Sequence, residues 1–409
     1  MNTTDLKQLP ARPNLEQYRK QAKDLATLVR TGDAGVLRRV NNCHPHSAQL
    51  LDESPGGRFA LADAQLVIAR EYGFESWSKF VKHIEGLTRQ NSPISRFELA
   101  AEAIVGGDAA TLESLLREHP ELVRARSTRV HRAALLHYVG ANGLENYRQK
   151  SPKNAAEIAE LLLSAGAEVD TVADIYGKST TLGLVATSIH PKRAGVQIPV
   201  MELLLDYGAA VDGVPGVRTP LVSALHNGRP EAAEFLARRG AQLDLEAAAG
   251  VGRLDVVERF FHEDGSLRTN ANKTQMELGF LWACEYGRNS VVEFLLNKGV
   301  DLQAQANTGL TGLHWAVVGG QAKTVQLLLE RGPSLQIRNV YGATALGQAL
   351  WSAINGDPET DYVAVIEMLI RAGARIEDGS LAWLAQQGGG SLAVRARLAD
   401  VLRSHGAQT

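Results

Sequence analysis

The chain has 409 residues, 44% of them hydrophobic and 22% charged, with a formal charge of −2. That composition fits a folded, soluble protein and lacks the basic excess of a dedicated nucleic-acid binder. No apolar run approaches the roughly 18–20 residues of a membrane helix, and the opening MNTTDLKQLPARPNLEQ has no apolar stretch of the kind that marks a secretory signal. Cys43 and Cys284 lie far apart in sequence. They suggest no disulfide framework and fit a reducing cytoplasm, each as a small core hydrophobe.

In chain order, Leu15–Val40 reads as a helix from the helical spacing of its apolar residues, and Phe59–Tyr72 and Ser76–Leu87 read as two more. Pro55-Gly56-Gly57 and Gly73 punctuate them. Residues 1–92 are therefore expected to form a helical capping domain, with Trp77 as a core anchor. His44-Pro45-His46 has no carboxylate or thiol companion nearby in sequence, so no metal is expected there.

From residue 96 onward one phrase recurs, a Leu-rich run followed two residues later by Gly-Ala or a variant. It reads LLLSAGAEVD at Leu161–Asp170 and LLLDYGAAVD at Leu203–Asp212, and returns as FLARRGAQLD, FLLNKGVDLQ, LLLERGPSLQ and MLIRAGARIE. The phrase glycines stand at 166, 208, 240, 265, 299, 332, 373 and 406, at intervals of 42, 32, 25, 34, 33, 41 and 33. The base period is about 33 residues, so the 25-residue interval predicts a trimmed repeat without a β-finger. Inside the intervals lie Thr219-Pro220-Leu221 and Thr311-Gly312-Leu313-His314-Trp315-Ala316. Such a threonine caps a helix, proline suits its first turn, and the phrase glycine ends the second helix in a left-handed turn.

These phrases resemble ankyrin repeats over Arg96–Thr409, and LADAQLVIAREYGFESWSKFVKHI is similar to a leader that precedes ankyrin arrays in bacterial proteins. The resemblance implies an all-α solenoid of stacked helix pairs with short β-hairpin fingers, about 8–9 repeats over 96–409. It also implies a concave face, lined by first helices and finger tips, that binds a partner protein or peptide. Position 5 of each start phrase is expected to face that groove. It is Tyr138, Leu184, Ser223, Ala247, Trp282, Trp315, Gln348 and Trp383 in turn. Positions 8 and 9 add His226, Tyr286 and Trp351, among others. Tyr138, His226, Trp282, Tyr286, Trp315, Trp351 and Trp383 are the candidate partner-binding residues, because Trp and Tyr are enriched among interface anchors.

Insertions break the period near 144–154, 190–199 and 355–362. The third is acidic, with Asp357, Glu359 and Asp361, and reads as a solvated loop. The first two, LENYRQKSPKN and HPKRAGVQIP, carry Arg148, Lys150, Lys153, Lys192 and Arg193 against Glu145 alone. They are expected to form one positive rim. Arginine forks and lysine charges suit a carboxylate or phosphate. Asn146, Arg148, Lys150, Tyr176, Lys192 and Arg193 are thus the candidate contacts for a small anionic ligand. If the scaffold is instead an enzyme, His137, Tyr138, Tyr147 and His190 are the groups able to move protons. No phosphate-binding glycine loop, zinc motif or nucleophile elbow occurs, and Gly388-Gly389-Gly390 lacks the context of one. No cofactor is expected. His137 and His314 occupy the consensus histidine place, where hydrogen bonding between repeats is the simpler role. A binding module and an ankyrin-scaffold enzyme or small-molecule receptor over residues 131–197 both remain open at this point.

Overall fold

A computed structural model describes residues 6–52, 59–217, 219–356 and 360–407. Residues 1–5, the Pro-Gly-Gly at 55–57, and Asp357 and Glu359 of the acidic insertion lie outside the described residues. The chain forms two compact units, residues 1–239 and 240–409. Compactness therefore divides the chain after Arg239, a different place from the 92/96 boundary drawn from the repeat register.

The first unit opens with α1 (Leu15–Val29), α2 (Ala34–Cys43), α3 (Ser47–Asp52), α4 (Leu61–Glu71) and α5 (Trp77–Thr88). The single helix expected over Leu15–Val40 is broken at Gly32, whose φ of +71° no helix accommodates; Asp33 then caps α2 by accepting the Val36 N–H. Ser76 caps α5. These five helices have a core of their own, in which Tyr18 meets Tyr72 and Phe80 edge-on at 5.4 and 5.0 Å. Trp77 packs partly buried against that core.

The rest of the unit comprises α6 (Pro93–Gly106), α7 (Ala109–Glu118), a 3-10 turn at Leu135–Gly140 and α8 (Ala155–Ser164). A two-residue finger follows, β1 (Val172–Ala173) antiparallel to β2 (Ser179–Thr180). The unit closes with α9 (Thr181–Thr187), α10 (Ile189–Arg193), α11 (Gln197–Asp206), α12 (Pro220–His226) and α13 (Pro230–Arg238). The 3-10 turn replaces an α-helix where α9 comes closest: a Cβ on Gly140 would stand 2.7 Å from the Leu184 Cβ.

The second unit contains α14 (Leu245–Gly250), α15 (Leu254–Val257), α16 (Lys273–Glu285), α17 (Asn289–Asn297), α18 (Gly312–Val318), α19 (Ala322–Glu330), α20 (Ala345–Asn355), α21 (Tyr362–Arg371), α22 (Ser380–Gln386) and α23 (Leu392–Ser404). One apolar core runs through it, from Leu245 to Leu402. The 25-residue interval is met by shortening: α14 begins at its Asp244 cap with no strand between Gly240 and Leu245, and α15 spans four residues.

All eight register glycines have positive φ, from +68° to +95°. Gly166 shows why. The Ala167 N–H reaches back to the Leu162 carbonyl at 3.0 Å and the Gly166 N–H to that of Leu163 at 3.0 Å. That closure needs a left-handed residue, which costs glycine no steric strain. Stacked helix pairs with short fingers thus follow from the period of about 33. None of the described helices is long and apolar enough to cross a membrane.

Candidate functional site

The first insertion turns inward. After the 3-10 turn the chain passes Glu145 and a second short 3-10 turn at Asn146–Arg148, and packs back on α6. Arg148 is 3% exposed. Its guanidinium lies 2.7 Å from Glu102, 2.8 Å from Glu98 and 3.3 Å from Glu145. Arg129, equally buried, bonds Glu98 and lies 2.9 Å from the same Glu145 oxygen, which is 3.6 Å from His131 Nε2. The Arg148 guanidinium also stands over the Tyr138 and Tyr147 rings at 5.8 and 5.5 Å.

Burial would raise the Glu145 carboxyl's pKa, but Arg129 and His131 outweigh it and hold it well below the usual range. The same holds for Glu98 beside the two arginines. Burial opposes the charge on both arginines, and the carboxylates, Glu98 foremost, keep their pKa values raised. Arg129, Arg148, Glu98 and Glu145 therefore form a closed ionic knot, with the exposed Glu102 bonding Arg148 from its outer side.

This knot corrects the expected anion rim. The donors of Arg148 are taken by carboxylates from α6, which the insertion's own composition could not reveal. Lys192 is tied to Glu231 at 2.9 Å. Asn146, Lys150, Lys153 and Arg193 are exposed. Tyr176 is exposed at the finger, its hydroxyl donating to Asn142 Oδ1 at 3.0 Å.

The proton-moving candidates are likewise not gathered at an opening. Tyr138 is 0% exposed and its hydroxyl has no hydrogen-bond partner among the described residues. Burial raises its pKa well above the ordinary value. His137 is buried, with Nδ1 accepting the Ala134 N–H at 3.1 Å, and burial, then Arg126, lowers it to about 4. Tyr147 is half-buried, its hydroxyl 3.5 Å from Arg129, and burial raises its pKa. His190 is half-buried, its pKa lowered by burial and by Arg193.

In the second unit α18, α20 and α22 line a concavity of about 780 Å³ together with the chain around Thr308–Leu310 and Tyr341–Ala343. Trp315, Trp351 and Trp383 share this lining with Tyr341. Trp351 is 51% and Tyr341 82% exposed, while Trp315 and Trp383 are half-buried. Glu377 and Asp378 stand at its edge, and the lining contains no Lys, Arg or His. Gly379, at φ +81°, turns the chain from these carboxylates into α22. His314 fixes α18 by accepting from the Thr311 N–H and by its Nε2 contact of 3.3 Å with the Ala343 carbonyl.

Position 5 does not face the groove throughout. Trp282 is 5% exposed; it donates to Glu246 at 2.9 Å and meets the Trp315 ring edge-on at 5.5 Å. Leu184, Ala247 and Tyr138 are also buried, because the neighbouring repeat covers that position. Tyr286 is half-buried and lies outside the lining of the concavity; His226, half-buried, belongs to the first unit. The start phrases give no signal for Tyr341, Glu377 or Asp378. Tyr341 sits between Asn339 and Gly342, whose hydrogen bond shapes a finger tip, and placing the tip register would have found it. Glu98, Glu102 and Arg129 carried no local signal.

Among the described residues no cluster of three or more His, Cys, Asp or Glu is arranged to hold a metal. No curated protein matches the chain. The human ASB11 ankyrin repeat domain, a solved structure, is similar at 20% identity and a TM-score of 0.36, covering 68% of this chain and 99% of that one. The family model described as ankyrin repeats (3 copies) matches residues 245–339 and 280–379, the stretch that includes the aromatic concavity up to Gly379. With that match standing on the glycine register and its left-handed caps, residues 245–379 are ankyrin repeats.

Proposed function

We propose that the chain is a binding module whose partner lays an extended peptide segment across Trp315, Trp351, Trp383 and Tyr341. Ankyrin repeats are in general protein-interaction modules, and one observation supports this face. Large aromatic rings are left open to water on a concave surface of about 780 Å³. Rigid aromatic side chains supply much contact area at small entropic cost, which makes them the usual anchors of an interface. The rival reading, a small-ligand or catalytic pocket over residues 131–197, needs Tyr138 and Arg148 at an open surface, and their burial favours the groove. In this reading α1–α5, with their separate core, cap the array as residues 1–92. The free thiols Cys43 and Cys284 suit the cytoplasm.

The test is selection of random linear peptides displayed against the full chain, followed by affinity measurement on variants. The selected peptides should bind Trp351→Ala at least about tenfold more weakly than wild type, as expected for an anchor. They should bind Tyr176→Ala, altered at an exposed tyrosine of the other unit, as wild type does. Peptides that lose affinity for Tyr176→Ala and keep it for Trp351→Ala would overturn the groove.

A further inference from the structure

We infer that the groove selects its peptide through a cationic side chain, Lys or Arg, seated among Trp351, Trp383, Trp315 and Tyr341 with Glu377 and Asp378 at its flank. The inference rests on the groove reading and adds the chemistry of the occupant.

The protein itself shows what holds a guanidinium. In the ionic knot Arg148 stands 5.8 and 5.5 Å over two tyrosine rings while Glu98, Glu102 and Glu145 take its N–H groups. Lys298 likewise stands over Phe261 and Phe294, at 5.8 and 5.4 Å. The groove presents the same two kinds of group, π-faces and carboxylates. Among the described residues no Lys or Arg stands over any of its four rings. A cation within about 6 Å of a ring centroid is attracted by the ring quadrupole, and tryptophan is the strongest such ring.

The carboxylates decide the sign. Asp378 is fully exposed and Glu377 is 43% exposed; Arg338 reaches Glu377 at 2.8 Å and Arg375 lies 3.8 Å from Asp378, both from outside the lining. Exposed pairs of this kind are weak and screened, so they yield readily to a cation arriving from the groove side. An acidic peptide would meet like charges at the edge, and a purely apolar one would draw nothing from the carboxylates.

The experiment uses the full chain and four fluorescent hexapeptide pools, random except for a central Lys, Arg, norleucine or Glu, with binding read by polarisation. Norleucine keeps the aliphatic stem of lysine and removes the charge. The Lys and Arg pools should bind at least about tenfold more tightly than the norleucine and Glu pools, a coupling of about 1.4 kcal/mol. The double variant Glu377→Gln/Asp378→Asn should cut that advantage to about threefold or less, with the norleucine pool unchanged and thermal melting as in wild type. Norleucine binding as tight as lysine, but weakened in Trp351→Ala, would overturn the cation and leave the groove. Lys and Arg pools held equally by wild type and Trp351→Ala would overturn both. Absence of binding by any pool would overturn the cation inference.

Discussion

The two units assemble aromatic rings and carboxylates to opposite ends. In the first, Arg148 enters between Tyr138, Tyr147 and three glutamates, and the cluster closes around it. In the second, Trp351 and Tyr341 remain open beside Glu377 and Asp378. The ingredients alone do not tell a structural knot from a recognition surface. What separates them is whether the chain supplies its own cation and whether the neighbouring repeat seals the site.

The sharpest way to break the comparison is to empty the knot. Arg129→Met leaves Glu98 and Glu145 buried and short of a charge partner, and such a loss costs about 3–5 kcal/mol. Urea denaturation of the variant should show that loss. A change under about 1 kcal/mol would mean that the cluster is hydrated and not a closed knot.

Acidity sharpens it further, because His83 and His137 in the first unit and Glu285 in the second respond with opposite sign. In the first unit burial lowers His83 and His137 to about 4 from an ordinary 6.5. Their unfolded forms take up protons that the fold refuses, so this contribution is present above pH 6.5 and is lost as pH falls toward 4. In the second unit burial raises Glu285 to about 7 from 4.5, which favours its neutral form in the fold. That contribution is present below pH 4.5 and is lost as pH rises through 7. Glu285→Gln should therefore exceed wild type in stability by about 2–3 kcal/mol above pH 7.5, with the gain shrinking toward pH 5. Urea midpoints of both proteins across that range check it; a pH-independent difference would remove Glu285 from the account.

A smaller effect is expected at Tyr138. A buried hydroxyl without a partner carries its full desolvation cost, so Tyr138→Phe should stabilise the chain by about 1–2 kcal/mol. Destabilisation would show that the hydroxyl bonds an enclosed water. The smallest stability effect belongs to the groove: Trp351→Ala should shift stability by no more than about 0.5 kcal/mol while weakening peptide binding at least about tenfold. Melting curves and peptide titrations on the same preparation separate the two readouts.

Much of the fold was legible because it is local. Seven of the eight register glycines announce a left-handed helix end within their own phrase, Gly265 turning instead the chain between the bridged Phe261 and Leu267, and the trimmed interval follows from counting. The groove was legible in part. Trp315, Trp351 and Trp383 line one concavity, but the same register also named Trp282, Tyr138 and Leu184, which the adjacent repeat covers. Burial at position 5 depends on the neighbour's stacking and on glycines such as Gly140 that let it approach, and a single phrase does not encode this. Arg148 was misread for the same reason: its partners Glu98 and Glu102 lie on α6, far back in the chain, and charge counts within the insertion saw only Glu145.

The clasp between Arg148 and α6 has a bearing on how such a protein can be inherited. Arrays grow and shrink by duplicating or deleting whole repeats, which is harmless when each unit touches its neighbours through interchangeable apolar faces. Here the arginine and its glutamates sit farther apart in the chain than one repeat length. A crossover between Glu98 and Arg148 would strand ions inside the progeny. This stretch can be copied only as a block.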